Sequence, residues 1–237
     1  MNPYMALYVK ELKANRLVSA VLLVLTAAIV LAVITNASPL NATLPLLVLP
    51  YLSPPVFAGL LMNSISQEWS GNTQHQWLAL PVPRAALPLM KLAAVGTLAV
   101  AVFVLNTFGV SMVLGPALEA VGEFAGAASG LPIVDVEAAV VWSVAGGVFG
   151  SMTVFLLGLA LVAASLRMFV PRFKGLVTVS VFLGGFWLTG RLASTVSEAL
   201  QSNWAIAEAH QSVLYLAGMG VLFAAVGAYV FDQHVDA

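Results

Sequence analysis

The chain has 237 residues, of which 61% are hydrophobic and only 8% are charged. A soluble domain carries about 25% charged residues, so this composition excludes a soluble protein and indicates an integral membrane protein. The net charge of -1 excludes a basic surface for nucleic acid, and the absence of cysteine excludes disulfides, thiol nucleophiles and thiolate metal ligands. Six apolar runs follow along the chain, and because backbone polar groups in lipid must be bonded internally, we predict that all six are helices.

Residues 1–16 precede the first apolar run and are predicted to form an amphipathic helix on the inner face of the membrane. The first span follows at 17–35, and because its apolar core is longer than that of a signal peptide, we expect it to be retained. The apolar side chains of the amphipathic helix recur at helical spacing with lysines offset from them: Tyr4, Leu7, Tyr8 and Leu12 against Lys10 and Lys13.

The predicted arrangement has six transmembrane helices, with both termini in the cytoplasm. Eight of the nine basic residues fall on one side of it, and the exception is Arg191. Cytoplasmic loops carry the excess of Lys and Arg, which sets this orientation. The chain 1–237 is therefore expected to be a single transmembrane domain with an extracellular segment at 191–211. The five further spans are predicted at 44–66, 92–114, 138–166, 175–190 and 212–231.

Two spans contain residues that alter helix geometry. Pro50, Pro54 and Pro55 interrupt the second span, where a broken helix forms either a gate or a static kink stabilised by its neighbours. Gly146 and Gly150 form a G-x-x-x-G pattern in the fourth span. Small residues allow close helix packing. For this pair of glycines we favour a contact within the chain over a contact between chains.

The longest cytoplasmic loop is predicted at 67–91, between the second and third spans. Thr73 and Gln76 have the spacing of a capping box, and Pro81 stops the helix that they begin, so a helix of about two turns is predicted. This helix carries Trp77. The residues fit two interpretations equally: a helix that docks in a groove of a partner protein, and an interfacial helix whose Trp lies among lipid headgroups.

The same loop resembles the intracellular loop of ABC-2 type permeases, the membrane subunits of small ATP-driven exporters. In that family a Glu closes the second span, Gly and Thr follow, then a Leu-Pro-x-x-Arg run, and a Lys begins the third span. Asn72 is a departure, because the Gly and Thr are often adjacent in the family. The motif covers 67–91, and the topology covers nearly the whole chain. The matching residues are Glu68, Gly71, Thr73, Leu80, Pro81, Arg84 and Lys91.

The resemblance implies a transport subunit that is not itself an enzyme and holds no cofactor or metal. ATP and Mg²⁺ would bind a separate ATP-binding cassette ATPase, in agreement with the missing phosphate-binding loop. A second permease subunit, identical or related, would pair with this one in the bacterial cytoplasmic membrane. The substrate would be an antimicrobial peptide, a drug or a lipid-like compound. The helix at 73–80 would be the coupling helix, and the expected partner-binding residues are Glu68, Gly71, Thr73, Trp77, Leu78, Leu80, Pro81 and Arg84.

In that family the first and fifth spans face the second permease subunit, so Gly184 and Gly185 are expected at this interface. The fifth apolar run is about 24 Å long, shorter than the roughly 30 Å of a hydrocarbon core. Its helix is therefore expected to continue through Arg191 toward Glu198. Arg191 would then attract an anionic substrate group or extend to lipid phosphate.

Two other functions stay open on the sequence: a stand-alone channel or secondary carrier, and a membrane enzyme or assembly subunit. A coupled carrier usually keeps ionisable residues inside its spans, and no charged residue lies well inside a predicted span. An enzyme needs a nucleophile, an acid and a base together. The three histidines are far apart, and no H-E-x-x-H pattern occurs.

Overall fold

The computed structural model describes residues 3–36, 39–70, 82–129, 138–203 and 208–235. Within these ranges the chain forms α-helices and one 3₁₀ turn, with no β-strand, which confirms the predicted all-α class for this part of the chain. The helices are α1 (Pro3–Ala14), α2 (Arg16–Asn36), α3 (Pro39–Ser70), α4 (Ala86–Ser129), α5 (Ala138–Phe169), α6 (Lys174–Asn203) and α7 (Glu208–Val235), and the 3₁₀ turn is Pro171–Phe173.

Several helices are long and apolar enough to cross a membrane, which indicates a membrane-embedded protein. A further candidate is the pair α1 and α2, which meet at a bend of 61°. Each of the six predicted spans falls within one of the helices α2 to α7, while the count of six spans and the orientation stay predictions. The four candidates found among the described residues are Ala86–Gly109, Gly146–Phe169, Lys174–Ala193 and Gln211–Gln233.

The predicted amphipathic helix corresponds to α1, which packs against α4. Its buried side chains are Leu7 and Glu11, one helical turn apart, and the hydroxyl of Tyr8 lies 2.7 Å from that of Thr97 on α4. Tyr4, predicted on the apolar face, is exposed. The buried face of α1 therefore includes a carboxylate.

Helices α5 and α7 form the closest helix pair, because glycines bring their backbones together. A Cβ atom at Gly158 would meet the carbonyl oxygen of Gly220, and a Cβ at Gly220 would lie 2.6 Å from the backbone nitrogen of Phe155. Further along, the hydroxyl of Ser165 donates to the carbonyl of Gly227 at 2.9 Å. Only the lack of side chains allows backbones to approach this closely in lipid.

The remaining helices surround α4 and α5. The rings of Phe103 and Phe149 stack at 4.7 Å between these two helices, and a Cβ at Gly146 would lie 3.1 Å from the Phe103 ring. Gly146 therefore packs within the chain, as its pattern favoured, whereas Gly150 faces open space. Helix α3 continues through Pro54 and Pro55, so these prolines do not end it.

The helices extend into two segments that were predicted as loops. Residues 67–70 belong to α3, and α4 already begins at Ala86, so only 71–85 lies between them. The backbone N–H of Ala86 bonds to the carbonyl of Pro83 at 2.9 Å, and Pro88 fits the first turn because N–H groups there have no helical acceptor. At the other end of the bundle, α6 continues to Asn203, so much of the extracellular segment predicted at 191–211 belongs to this helix.

Candidate functional site

Charged and polar side chains surround Lys91, which lies in the second turn of α4 and is 4% exposed. Its Nζ lies 2.8 Å from Oε2 of Glu11, on α1, and 3.0 Å from Oε1 of Glu68, on α3. Nζ also lies 3.1 Å from Oγ of Ser64, on α3. We call Lys91, Glu11, Ser64 and Glu68 the Lys91 cluster.

Helical spacing brings the members of the Lys91 cluster together. Ser64 and Glu68 are four residues apart in α3 and therefore share one face. Glu11 follows Leu7 by the same spacing, and both are buried. Because α1 and α3 both pack against α4, the long side chain of Lys91 reaches both carboxylates.

The Lys91 cluster satisfies the hydrogen-bonding groups that it buries. An ammonium has three N–H donors, and Glu11, Glu68 and Ser64 supply an acceptor for each. A buried ion pair is tolerated only when it is well hydrogen-bonded, and removal of one partner leaves an uncompensated charge. The Lys91 cluster therefore holds α1, α3 and α4 to one another at one end of the bundle.

Two carboxylates share one ammonium, so the Lys91 cluster has a net charge of -1 when both are ionised. Glu68 lies beyond the apolar run that ends at residue 66. Burial raises the pKa of Glu68 from its ordinary 4.5 to about 7, Lys91 opposes the rise, and the nearby Glu11 adds to it. Glu68 therefore gains or loses a proton near neutral pH.

This pKa predicts a pH-dependent stability. The pKa of Glu68 is higher in the folded state, so its contribution to stability is fully present below about pH 4.5 and is lost as the pH rises through about 7. We expect the midpoint of thermal unfolding to fall between pH 5 and pH 8, and Glu68→Gln to remove most of that fall. The exposed neighbour Gln67 offers a control, since Gln67→Ala should keep the parent's pH profile. Identical profiles for Glu68→Gln and the parent would contradict this assignment.

Of the predicted partner-binding residues, the structure describes two. Glu68 is in the Lys91 cluster, and Arg84 is half-buried in the turn that leads into α4, where its carbonyl accepts a hydrogen bond from the N–H of Leu87 at 3.1 Å. The predicted coupling helix at 73–80 lies outside the described residues, with Gly71, Thr73, Trp77, Leu78, Leu80 and Pro81.

The other predicted residues lie apart from the Lys91 cluster, on α6. Gly184 faces outward with open space around it, whereas a Cβ at Gly185 would meet the side chain of Leu159 on α5. Gly185 therefore packs within the chain, and of the two only Gly184 is exposed on the outer face of α6. Arg191 is exposed, and α6 continues past it and past residue 198, as its short apolar run predicted.

Sequence reasoning did not single out Glu11 or Ser64 as functional residues, and it used Lys91 only as part of a motif. One signal was available for Glu11: it occupies the position one turn after Leu7, on the face otherwise counted as apolar. A carboxylate there needs a buried cation. Which of the chain's cations it meets depends on how α1 crosses α4, and local spacing does not determine that crossing.

Across the described ranges, no three His, Asp or Glu side chains are grouped to hold a metal ion. Comparisons with protein-family models, with curated proteins and with solved structures found no match for this chain. The resemblance to ABC-2 type permeases therefore stays a prediction from the sequence.

Proposed function

We propose that this chain is the membrane-spanning permease subunit of an ABC exporter, which moves its substrate outward while a separate subunit hydrolyses ATP. The observation that carries the proposal is the position of the Lys91 cluster. It joins the last turns of α3 to the first turns of α4, which are the two helices on either side of the predicted coupling helix. It also joins both of them to α1.

The Lys91 cluster suits the transmission of a movement from that loop. A force applied to the loop acts on the end of α3 and on the start of α4. Because Lys91 is bonded to Glu11 and Glu68 in a buried site, these ends and α1 move together more readily than they separate. Networks of hydrogen bonds, ion pairs and rigid helices of this kind can carry energetic coupling between distant sites.

The proposal includes six spans, cytoplasmic termini and a second permease subunit. Helices α2 and α6 carry many exposed apolar side chains, which lipid or a second permease would cover. Examples on α2 are Leu17, Val21 and Val24, and on α6 Leu183, Phe186 and Trp187. The substrate would be a peptide, drug or lipid-like compound.

The test removes the proposed docking side chains. We expect Trp77→Ala combined with Leu78→Ala to leave the chain in the membrane but to abolish co-purification of the ATPase subunit, because aromatic anchors dominate many interfaces at about 2 kcal/mol or more each. The measurements are recovery of a co-expressed ATP-binding cassette ATPase on the tagged permease and substrate-stimulated ATP hydrolysis in vesicles.

A matched control removes an aromatic and a leucine elsewhere. Leu222→Ala combined with Tyr229→Ala truncates two exposed side chains seven residues apart on α7 and should retain the ATPase at the parent level. If the loop variant still binds its ATPase and stimulates it at the parent rate, the loop is not the docking element. Substrate movement by the chain alone, without ATP, would instead indicate a stand-alone carrier.

A further inference from the structure

The turn between α5 and α6 places two cations and an aromatic side chain at the membrane surface. The candidate span in α5 ends at Phe169 and the candidate span in α6 begins at Lys174, so the connection between them is a single short turn. Arg172, Phe173 and Lys174 are consecutive in the sequence, and all three are exposed. Because a turn this short joins two spans, it lies at the level of the lipid headgroups, whichever side of the membrane it faces.

The backbone of this turn has a defined shape. The N–H of Phe173 donates to the carbonyl of Val170 at 3.2 Å, and Pro171 fixes a backbone dihedral angle at the start of the 3₁₀ turn. Consecutive Cα atoms are about 3.8 Å apart, so those of Arg172 and Lys174 are separated by no more than about 7.6 Å. At this separation the long side chains of Arg and Lys can both contact one phosphate group.

The positive charge of the turn is not balanced by carboxylates of the helices that it joins. The sequence has no Asp or Glu from residue 138 to residue 197, a range that includes all of α5 and most of α6. Asp232 lies near the end of α7, yet among the described residues no ion pair joins it to Arg172 or Lys174. The turn therefore presents a charge that an anion from outside the chain complements.

An exposed apolar stripe extends along α6 from this turn. Leu176, Val179 and Leu183 follow one another at spacings of three and four residues, which places them on one face of the helix, and each is exposed. Phe173 is exposed at the start of the stripe. From Phe173 to Leu183 the stripe is about 15 Å long, which is half of a hydrocarbon core of roughly 30 Å and so matches the acyl chains of one leaflet.

We propose that Arg172 and Lys174 bind the phosphate of an anionic phospholipid, whose acyl chains lie against Phe173 and the apolar stripe Leu176, Val179 and Leu183. The guanidinium of Arg offers paired N–H donors that match two phosphate oxygens, and the ammonium of Lys adds a second charge. The stripe favours a lipid over a soluble phosphate, because a soluble anion has no apolar group to cover it. This inference does not depend on the proposed exporter function.

The probes are dioleoylphosphatidylglycerol and dioleoylphosphatidylcholine, which share their acyl chains and differ in headgroup charge. The full chain in a nonionic detergent is titrated with each lipid, and native mass spectrometry gives the dissociation constant of the first bound lipid. A basic residue at a lipid surface contributes about fivefold to the binding of anionic lipid, so we expect the two cations to make phosphatidylglycerol bind about thirtyfold more tightly than phosphatidylcholine. Glycerol 1-phosphate, which carries a phosphate without acyl chains, should not displace phosphatidylglycerol.

Three double variants assign the effect to this turn. Arg172→Gln combined with Lys174→Gln should remove the preference for phosphatidylglycerol, and because both side chains are exposed, helical circular dichroism should stay at the parent level. Arg172→Lys combined with Lys174→Arg keeps both charges and should keep the preference. The matched control is Lys13→Gln combined with Arg16→Gln, which removes one exposed Lys and one exposed Arg elsewhere and should bind both lipids as the parent does.

Four results would overturn the proposal. The parent could bind the two lipids equally, or Arg172→Gln with Lys174→Gln could keep the full preference. Equal losses in this variant and in the control Lys13→Gln with Arg16→Gln would show a general effect of surface charge without a site at the turn. Displacement of phosphatidylglycerol by glycerol 1-phosphate would show that the turn binds a soluble anion instead of a lipid. A loss of preference confined to the Arg172 and Lys174 variant would support the site.

Discussion

Replacement of Lys91 with methionine is expected to lower the free energy of unfolding by about 3–5 kcal/mol, the typical cost of removing one partner from a buried ion pair. The variant keeps the length and apolar stem of the side chain but leaves Glu11 and Glu68 buried without their shared cation. The measurement is reversible unfolding in mixed micelles with increasing fractions of a denaturing detergent, followed by the loss of helical circular dichroism.

Two further variants serve as controls for this result. Lys174→Met removes an exposed lysine at the start of α6 and should change the free energy by no more than about 0.5 kcal/mol. Combining Lys91→Met with Glu11→Gln should recover part of the loss, because the second change removes one of the two uncompensated charges. Equal stability of Lys91→Met and Lys174→Met would show that the Lys91 cluster does not stabilise the fold.

Replacement of Gly220 with valine is expected to lower the free energy of unfolding by about 3 kcal/mol or more, because it forces α5 and α7 apart. A Cβ at Gly220 would lie 2.6 Å from the backbone of Val154 and Phe155, and backbone atoms in a helix cannot move aside as a flexible side chain can. The branched side chain enlarges this clash. The same unfolding measurement checks it, together with the yield of folded protein after detergent extraction.

Gly218 provides the matched control, since it lies two residues away on the same helix and has nothing within 4 Å of its Cβ position. Gly218→Val should therefore leave stability within about 0.5 kcal/mol of the parent. If the two valine variants were equally stable, the close approach of α5 and α7 would not be a determinant of the fold. A loss confined to Gly220→Val would assign the effect to the helix pair.

The sequence by itself determined the class of structure. Sixty-one per cent hydrophobic residues and 8% charged residues leave membrane helices as the solution, and each predicted span falls within one observed helix. The short apolar run before Arg191 correctly predicted that α6 continues beyond it. These predictions succeed because hydropathy and backbone hydrogen bonding are local along the chain, so no knowledge of neighbouring helices is required.

Only the tertiary structure decided which residues meet. Glu11 and Lys91 are 80 residues apart, and their 2.8 Å contact forms because α1, which meets α2 at a 61° bend, packs on α4. Gly184 and Gly185 are adjacent residues of the same type, yet of the two only Gly185 packs on Leu159. The sequence of α4 does not show that the polar residue Asn106 is buried, because its burial depends on how the helices pack. Helix crossing angles and rotations are set by the summed fit of many side chains, which no single stretch of sequence contains.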